Sequence, residues 1–280
     1  MIFVTGADGM VGSYLKEVFS GEKLVLTDID TLDVRDPGKV KKEINKMKPE
    51  FVLHLAAETD VDRCEKEAGH AYLTNALGTQ NVALACQETG AIMIYISTAG
   101  VFGGEKTEPY TEFDQPNPAN VYGRTKWEGE KIVQFLLNRY YIVRAGWMIG
   151  GREKDKKFVG KIVRQFSEKD KILAVNDKIG TPTYARDLLE GIQKLMKTGY
   201  YGLYHMTNKG VCSRYDVAVE IGRLLGWKTP VEPVSSDLFP LPAPRARSEA
   251  MRNYKLELLK IHKMRPWQDA LREYLENWMM

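Results

Sequence analysis

Through the first half of the chain, short apolar runs alternate with longer stretches whose apolar residues recur at a helical period. The runs have the usual length of strands, and the longer stretches have the length of helices. The runs predict five strands, at Ile2 to Thr5, Leu24 to Thr27, Phe51 to Leu55, Ile92 to Ser97 and Tyr140 to Arg144. Helices are predicted between them, at about 10–20, 37–48, 68–89 and 120–138. Strands this apolar must be covered on both faces, so the pattern predicts an α/β fold with a doubly wound parallel sheet.

The pattern changes beyond Gly150-Gly151. The later elements are predicted to be a charged helical stretch at 152–171, strands at Ile172 to Val175 and Gly202 to Met206, helices at Ala185 to Lys197 and from Ser213 to about Leu225, and a proline-rich stretch at Pro230 to Pro244. We therefore expect a first domain at 1–150, rejoined by a return segment at roughly 172–210. Residues 151–280 are expected to form mostly a smaller, mixed α/β lobe.

Composition and charge narrow the classes of function. The 280 residues are 44% hydrophobic and 28% charged, as in an ordinary soluble protein, and the net charge is only +3. Without a run of like charges, we expect no nucleic-acid partner and no membrane partner. Three widely spaced cysteines and four dispersed histidines predict neither disulfides nor a metal site. The sequence lacks a signal pattern and a long apolar run, so we expect a cytoplasmic protein.

A glycine-rich turn follows the first predicted strand. In TGADGMVG, Gly6, Gly9 and Gly12 stand three residues apart where a helix should begin, a position that suits a dinucleotide pyrophosphate. The alternative is a tight packing turn. Asp28 ends the second strand, where a carboxylate can bind the adenosine ribose and repel a 2′-phosphate, which favours NADH over NADPH. Asp28 can instead cap a turn. Asp33 and Val34 follow where a loop could hold the adenine.

Tyr122 and Lys126 are four residues apart on a predicted helix, so they share one face. A neighbouring ammonium is expected to lower the pKa of the Tyr122 phenol and make the pair usable in acid–base chemistry near neutral pH. Thr98, at the carboxyl end of the fourth strand, would supply a hydroxyl to the same substrate oxygen. Taken alone, each of these features also fits a solvated helix face or a capped strand end.

Together these motifs resemble the extended short-chain dehydrogenase/reductase superfamily, which has a Rossmann-like fold. The resemblance rests on the Thr-Gly-x-x-Gly-x-x-Gly opening, His54-Leu-Ala-Ala, Asn75-Ala-Leu-Gly-Thr, Ser97-Thr98 and Tyr122-x-x-x-Lys126. Within the superfamily the chain is most similar to dTDP-4-dehydrorhamnose reductases, through LDVRD, VRAGWMIGG and VNDKIGTPTYARDL. The resemblance extends over essentially the whole chain.

This resemblance implies a reduction of the C4 ketone of a 4-keto-6-deoxy sugar nucleotide by NADH or NADPH, with residues 1–150 as the dinucleotide-binding domain and the smaller lobe as the substrate-binding lobe. The implied catalytic residues are Thr98, Tyr122 and Lys126. The residues implied to bind the cofactor are Gly6, Gly9, Met10, Val11, Gly12, Asp28, Asp33, Val34, Leu55, Ala56, Ala57, Asn75, Tyr122 and Lys126. Those implied to bind the substrate, a dTDP-sugar, are Thr98, Phe102, Trp147, Asn176 and Arg245.

Two departures from the reductase pattern keep alternatives open. Ala99-Gly100 replaces the usual Asp-Tyr after the catalytic threonine, which resembles the epimerases and dehydratases of sugar nucleotides. A dehydratase would need acid–base groups there, whereas a 4-epimerase would not. A dinucleotide-binding regulatory subunit, like that of methionine adenosyltransferase, is a non-enzymatic alternative. Tyr14 stands where some reductases carry a magnesium-binding glutamate, so any homodimer is expected to lack a magnesium bridge.

Overall fold

The computed structural model describes residues 1–279, without the side chains of Ser167 and Met279. The strands in this part of the chain are β1 (Ile2–Thr5), β2 (Leu24–Thr27), β3 (Phe51–His54), β4 (Ile92–Thr98), β5 (Tyr140–Ala145), β6 (Trp147–Ile149), β7 (Ile172–Val175), β8 (Ile179–Gly180), β9 (Pro182–Tyr184), β10 (Gly202–His205), β11 (Cys212–Ser213) and β12 (Val231–Val234). The α-helices are α1 (Leu15–Val18), α2 (Pro37–Met47), α3 (Val61–Lys66), α4 (Ala68–Tyr72), α5 (Gly78–Thr89), α6 (Val121–Leu136), α7 (Phe158–Glu168), α8 (Ala185–Met196), α9 (Arg214–Leu225), α10 (Tyr254–Leu259) and α11 (Trp267–Met279).

The central sheet has six parallel strands in the order β10-β5-β4-β3-β1-β2. Side chains alternate between its faces, so Ile2 and Val4 enter one hydrophobic core while Phe3 enters the other. Helices α2, α5 and α6 pack side by side, and α1 packs on α8. Because both faces are buried, every strand can be apolar, and the predicted doubly wound α/β fold is confirmed.

The second half of the chain adds small sheets to this framework. These form three two-stranded pairs, β6 with β9, β7 with β12 and β8 with β11. Strands β7, β11 and β12 pack against α9, which also packs on α7, whereas β9 packs against α8 and α11. The chain then contributes β10 to the main sheet beside β5. The division at residue 150, with its return segment, remains a prediction. Nowhere in residues 1–279 is a helix both long enough and apolar enough to cross a membrane.

Three predicted helical stretches differ from those in the structure, and the one expected at 152–171 is an α-helix only over Phe158–Glu168, after a 3-10 turn at Arg152–Lys154. The helix expected at 10–20 is reduced to a 3-10 turn, Gly12–Tyr14, followed by the single turn of α1. The helix expected at 68–89 consists of α4 and α5 joined by a π-helical segment, Leu73–Leu77. Such segments insert an extra residue into a helical turn and are frequent at functional sites.

Candidate active site

A cleft of roughly 1590 Å³ lies at the carboxyl ends of β1 to β5, bordered on its other side by residues from the second half of the chain. This is the edge at which parallel sheets present residues to ligands. The predicted site residues that line it are Gly6, Gly9, Met10, Val11, Asp28, Asp33, Val34, Leu55, Ala56, Ala57, Thr98, Tyr122, Lys126, Trp147 and Arg245. Four others, Gly12, Asn75, Phe102 and Asn176, lie outside this lining.

The three glycines of the first turn have different surroundings. Gly6 has a φ of +71°, and a Cβ atom there would lie 2.5 Å from the backbone nitrogen of Ala56. At Gly12 a Cβ would lie 1.8 Å from the carbonyl oxygen of Ala7. A Cβ on Gly9 would meet only the Gly6 carbonyl oxygen, at 3.4 Å. Gly6 and Gly12 therefore hold the turn tightly packed, and Gly9 leaves backbone open to the cleft.

Replacing Gly12 with alanine should test this packing requirement. We expect Gly12→Ala to lower the free energy of unfolding by about 1–3 kcal/mol or more, because the new methyl group meets rigid backbone. The matched control is Gly21→Ala, where no atom lies within 4 Å of the added Cβ and a change within about 0.5 kcal/mol is expected. Urea denaturation of both variants measures the difference, and equal stability would contradict the packing role.

Charged side chains form the end of the cleft beside β2. The Asp28 carboxylate accepts hydrogen bonds from the backbone N–H groups of Asp8 and Ile29, each at 2.8 Å, so it fixes its own loop as well as facing the cleft. Asp33 pairs with Arg35 at 2.6 Å, and this hydrogen-bonded guanidinium lowers the pKa of Asp33. Arg35, which the sequence analysis did not select, also lines the cleft. A guanidinium suits a 2′-phosphate, whereas Asp28 disfavours one, so the preference for NADH remains a prediction.

Thr98, Tyr122 and Lys126 come together beneath the middle of the cleft. Thr98 ends β4, where its hydroxyl accepts a hydrogen bond from the Gly100 N–H at 3.0 Å. Asn120 caps α6 and thereby fixes the turn that carries Tyr122, whose phenol hydrogen-bonds Thr98. Lys126 follows one helical turn later, and its Nζ lies 4.2 Å from the centre of the Tyr95 ring.

Burial determines the protonation states of Tyr122 and Lys126. Burial raises the pKa of Tyr122 to about 12, although the Thr98 hydrogen bond lowers it, and the negative charge of Glu249 raises it further. Burial also lowers the pKa of Lys126 to about 7, opposed by the nearby carboxylate of Glu130. The expectation that the lysine would lower the tyrosine pKa is therefore wrong, because desolvation raises this pKa and Lys126 is not among the groups that lower it. Tyr122 keeps its proton at neutral pH, which suits a proton donor.

Asn75 supports this site from behind the cleft lining. Its side chain accepts a hydrogen bond from the Glu58 N–H at 2.8 Å and donates to the Glu58 carbonyl and to Thr125 Oγ1, both at 3.0 Å. It belongs to the π-helical segment and is fully buried. Asn75 thus joins the loop after β3 to α6, one residue before Lys126.

A buried ion pair lies below Lys126. Glu130 and Arg144, only 2% and 3% exposed, are joined by two hydrogen bonds of 2.8 and 2.7 Å, and Ser97 donates to Glu130 at 2.5 Å. Paired in this way, the two charges escape the full cost of leaving water. This pair was not predicted from the sequence, although the position of Glu130, four residues after Lys126, places it on the same face of α6.

The substrate residues implied by resemblance occupy different environments. Trp147 donates from Nε1 to Glu249 Oε2 at 3.0 Å, and Arg245 pairs with Asp62 at 3.0 Å. Phe102 is 1% exposed and stacks on Tyr110 with ring centres 4.0 Å apart, so it belongs to the core next to the cleft. Asn176 is exposed, and its backbone N–H bonds the Val234 carbonyl.

Lysines from the charged stretch after Gly151 bridge the cleft. Lys154 Nζ donates to the Asp8 carbonyl at 2.9 Å, and Lys157 Nζ donates to the Thr59 carbonyl at 3.1 Å.

Tyr14 is buried, accepts a hydrogen bond from the Gly151 N–H at 3.1 Å, and lies outside the cleft lining. Within the described residues no group of three or more His, Cys, Asp or Glu side chains could hold a metal ion.

Known proteins resemble this chain along its whole length. The family model described as the RmlD substrate binding domain matches residues 1–280. A dTDP-4-dehydrorhamnose reductase of Mycobacterium tuberculosis is 34% identical over 279 residues, covering 96% of this chain and 90% of that protein.

Two solved structures have nearly the same fold. A dTDP-4-dehydrorhamnose reductase of Clostridium acetobutylicum superposes with a TM-score of 0.96 at 40% identity, covering 100% of this chain and 99% of that one. The dTDP-4-dehydrorhamnose reductase of Bacillus anthracis, solved in complex with NADP, gives a TM-score of 0.95 at 37% identity, covering 99% and 98%.

Proposed function

This chain belongs to the family defined by the RmlD substrate binding domain, and we propose that it reduces the C4 ketone of a nucleotide-activated 4-keto-6-deoxyhexose with NADH or NADPH. The proposed reaction converts dTDP-4-dehydro-L-rhamnose to dTDP-L-rhamnose, in keeping with the names of its relatives. One observation carries the proposal: Thr98, Tyr122 and Lys126 line the same cleft as the glycine-rich turn.

The β1–β2 end of the cleft fits a dinucleotide. Gly9 leaves room next to the backbone, and Gly6, Met10 and Val11 complete a turn suited to the pyrophosphate. The residues that would hold the adenosine and line the rest of the cofactor site are Asp28, Asp33, Val34, Leu55, Ala56 and Ala57, with Tyr122 and Lys126 at the nicotinamide ribose. A bound, reduced nicotinamide supplies the hydride for C4.

The chain's own residues handle the proton. Tyr122 Oη carries a proton that its raised pKa retains at neutral pH, and it donates this proton to the ketone oxygen as negative charge develops there. Thr98, hydrogen-bonded to Tyr122, orients the same oxygen. In its protonated form Lys126, whose pKa burial lowers to about 7, supplies positive charge to stabilise the phenolate that remains.

Incubation with dTDP-4-dehydro-L-rhamnose and NADPH tests the proposal. We expect one NADPH to be oxidised for each dTDP-L-rhamnose formed, as measured by NADPH absorbance and by NMR of the product. Sugar conversion without net NADPH oxidation would indicate an epimerase and contradict the proposal. Dinucleotide binding without any turnover would instead favour the regulatory-subunit alternative.

A further inference from the structure

Arg214 places a positive charge in the cleft without a direct hydrogen-bonded or ion-paired partner among the described residues. It is the first residue of α9, and its guanidinium carbon lies 3.7 Å from the centre of the Trp147 ring and 4.9 Å from that of Phe158. Within residues 1–279 this guanidinium makes no hydrogen bond and no ion pair. A guanidinium has five N–H donors, so those of Arg214 remain free for a ligand.

The position of Arg214 does not favour the stability of the folded protein. Burial lowers the pKa of its guanidinium to about 10, opposed by the charge of Glu249, and the positive charge of Arg245 lowers it further. A cation in the first turn of a helix also opposes the helix dipole. A residue that is costly in this way and directed into a binding cleft is a candidate for ligand recognition.

Glu249 supplies the complementary acceptor. Its Oε2 accepts the Trp147 Nε1–H at 3.0 Å, and its backbone N–H bonds the Ile179 carbonyl at 2.8 Å, so both ends of the residue are fixed. Glu249 lines the same cleft as Arg214 and Tyr122, and its negative charge raises the pKa of both side chains. Its other oxygen, Oε1, is left for a ligand hydroxyl.

Gly180 leaves the space in which the Trp147 indole lies beside Arg214. A Cβ at Gly180 would lie 2.3 Å from Trp147 Cε2, so only glycine lets the indole sit against β8. The ring, held there, meets the Arg214 guanidinium instead of leaving that face open to a sugar. Arg214 and Glu249 therefore present charged hydrogen-bonding groups in the same cleft as Ala99-Gly100, where side chains are small.

We propose that Arg214 and Glu249 bind the hydroxyl groups of the hexose next to the reacting ketone, with Arg214 donating and Glu249 accepting, and so determine sugar specificity. The inference rests on the proposed function, because it assigns the sugar to this end of the cleft. The proposal assigns the two arginines to different parts of the ligand. Arg214 would bind the hexose, whereas Arg245, which pairs with Asp62 at 3.0 Å, is the candidate residue for binding the diphosphate.

Binding of dTDP-L-rhamnose and of dTDP, measured calorimetrically with saturating NADP⁺, tests this assignment without requiring turnover. We expect Arg214→Met and Glu249→Gln each to weaken dTDP-L-rhamnose about tenfold or more, through lost charge-assisted hydrogen bonds, and to change dTDP affinity by less than about twofold. The matched control is Arg247→Met, an exposed arginine of the same segment outside the cleft lining, which should alter neither affinity.

Several results would overturn the inference. Equal weakening of dTDP and dTDP-L-rhamnose by Arg214→Met would assign that residue to the nucleotide. Unchanged affinities in the variants would contradict a contact between these two residues and the sugar. A wild-type protein that binds dTDP and dTDP-L-rhamnose equally tightly would contradict it as well. Should Arg214→Met not fold, Arg214→Lys, which keeps the charge but loses the planar fork, must show the same selective loss. Sugar-dependent binding without ketone reduction would reject the proposed function and leave this inference standing.

Discussion

Tyr122→Phe lowers the turnover of the 4-keto sugar nucleotide by about 10²–10⁴-fold, the usual contribution of a positioned general acid. The substitution removes only the Oη atom that hydrogen-bonds Thr98 and leaves the ring within the packing of α6. NADPH affinity should fall by no more than about tenfold, because one lost hydrogen bond at the ribose is a small part of a dinucleotide site. Steady-state NADPH oxidation and fluorescence titration of NADPH measure the two effects.

The control for this substitution is Tyr200→Phe, at an exposed tyrosine outside the cleft lining, which should retain full activity. A Tyr122→Phe variant with wild-type turnover would mean that another group donates the proton. Loss of NADPH binding in parallel with turnover would mean that Tyr122 mainly holds the cofactor.

Arg144→Met lowers the free energy of unfolding by about 3–5 kcal/mol. The substitution leaves the Glu130 carboxylate, 2% exposed, without its guanidinium; among the described residues the Ser97 hydroxyl is then its remaining hydrogen-bond donor. A buried charge that loses its partner costs far more than the pair contributes, which is why the effect exceeds that of an ordinary surface change. Urea denaturation monitored by circular dichroism measures it.

Two companion variants make this prediction specific. Replacing both partners, Glu130→Gln with Arg144→Met, should recover most of the lost stability because neither a carboxylate nor a guanidinium is left buried without its partner. Lys41→Met breaks an ion pair of similar length, 2.7 Å to Glu88, but in an exposed position, and should cost less than about 1 kcal/mol. If Arg144→Met is as mild as Lys41→Met, the buried pair does not stabilise the site.

The sequence predicts the central sheet well because its strands are buried on both faces. The bounds of β1 and β2 agree with the predicted runs, and β3, β4 and β5 differ only at their carboxyl ends. Such strands carry their signal in continuous apolar residues. The length of the first helix was overestimated, because the hydrophobic pattern does not show that Gly12 must lie against the Ala7 carbonyl.

The candidate site likewise has one part that the sequence indicates and another that only the fold brings together. The spacing of Tyr122 and Lys126 is local, so a sequence can indicate it, and both residues line the cleft with Thr98. The group formed by Trp147, Arg214 and Glu249 joins distant parts of the chain, and no local pattern indicates that β8 and β11 bring them together. The direction of the Tyr122 pKa shift was wrong for a related reason, because it depends on burial by the whole fold.

The return of β10 to the central sheet limits how sugar recognition can be transferred between relatives. Trp147 comes from the stretch before α8 and β10, whereas Arg214 and Glu249 come from the stretch after them. A chimera with a single crossover would exchange one half of this group and leave the other half without its partner. Grafting the specificity of another enzyme onto this chain therefore needs two exchanged segments, one on each side of α8 and β10.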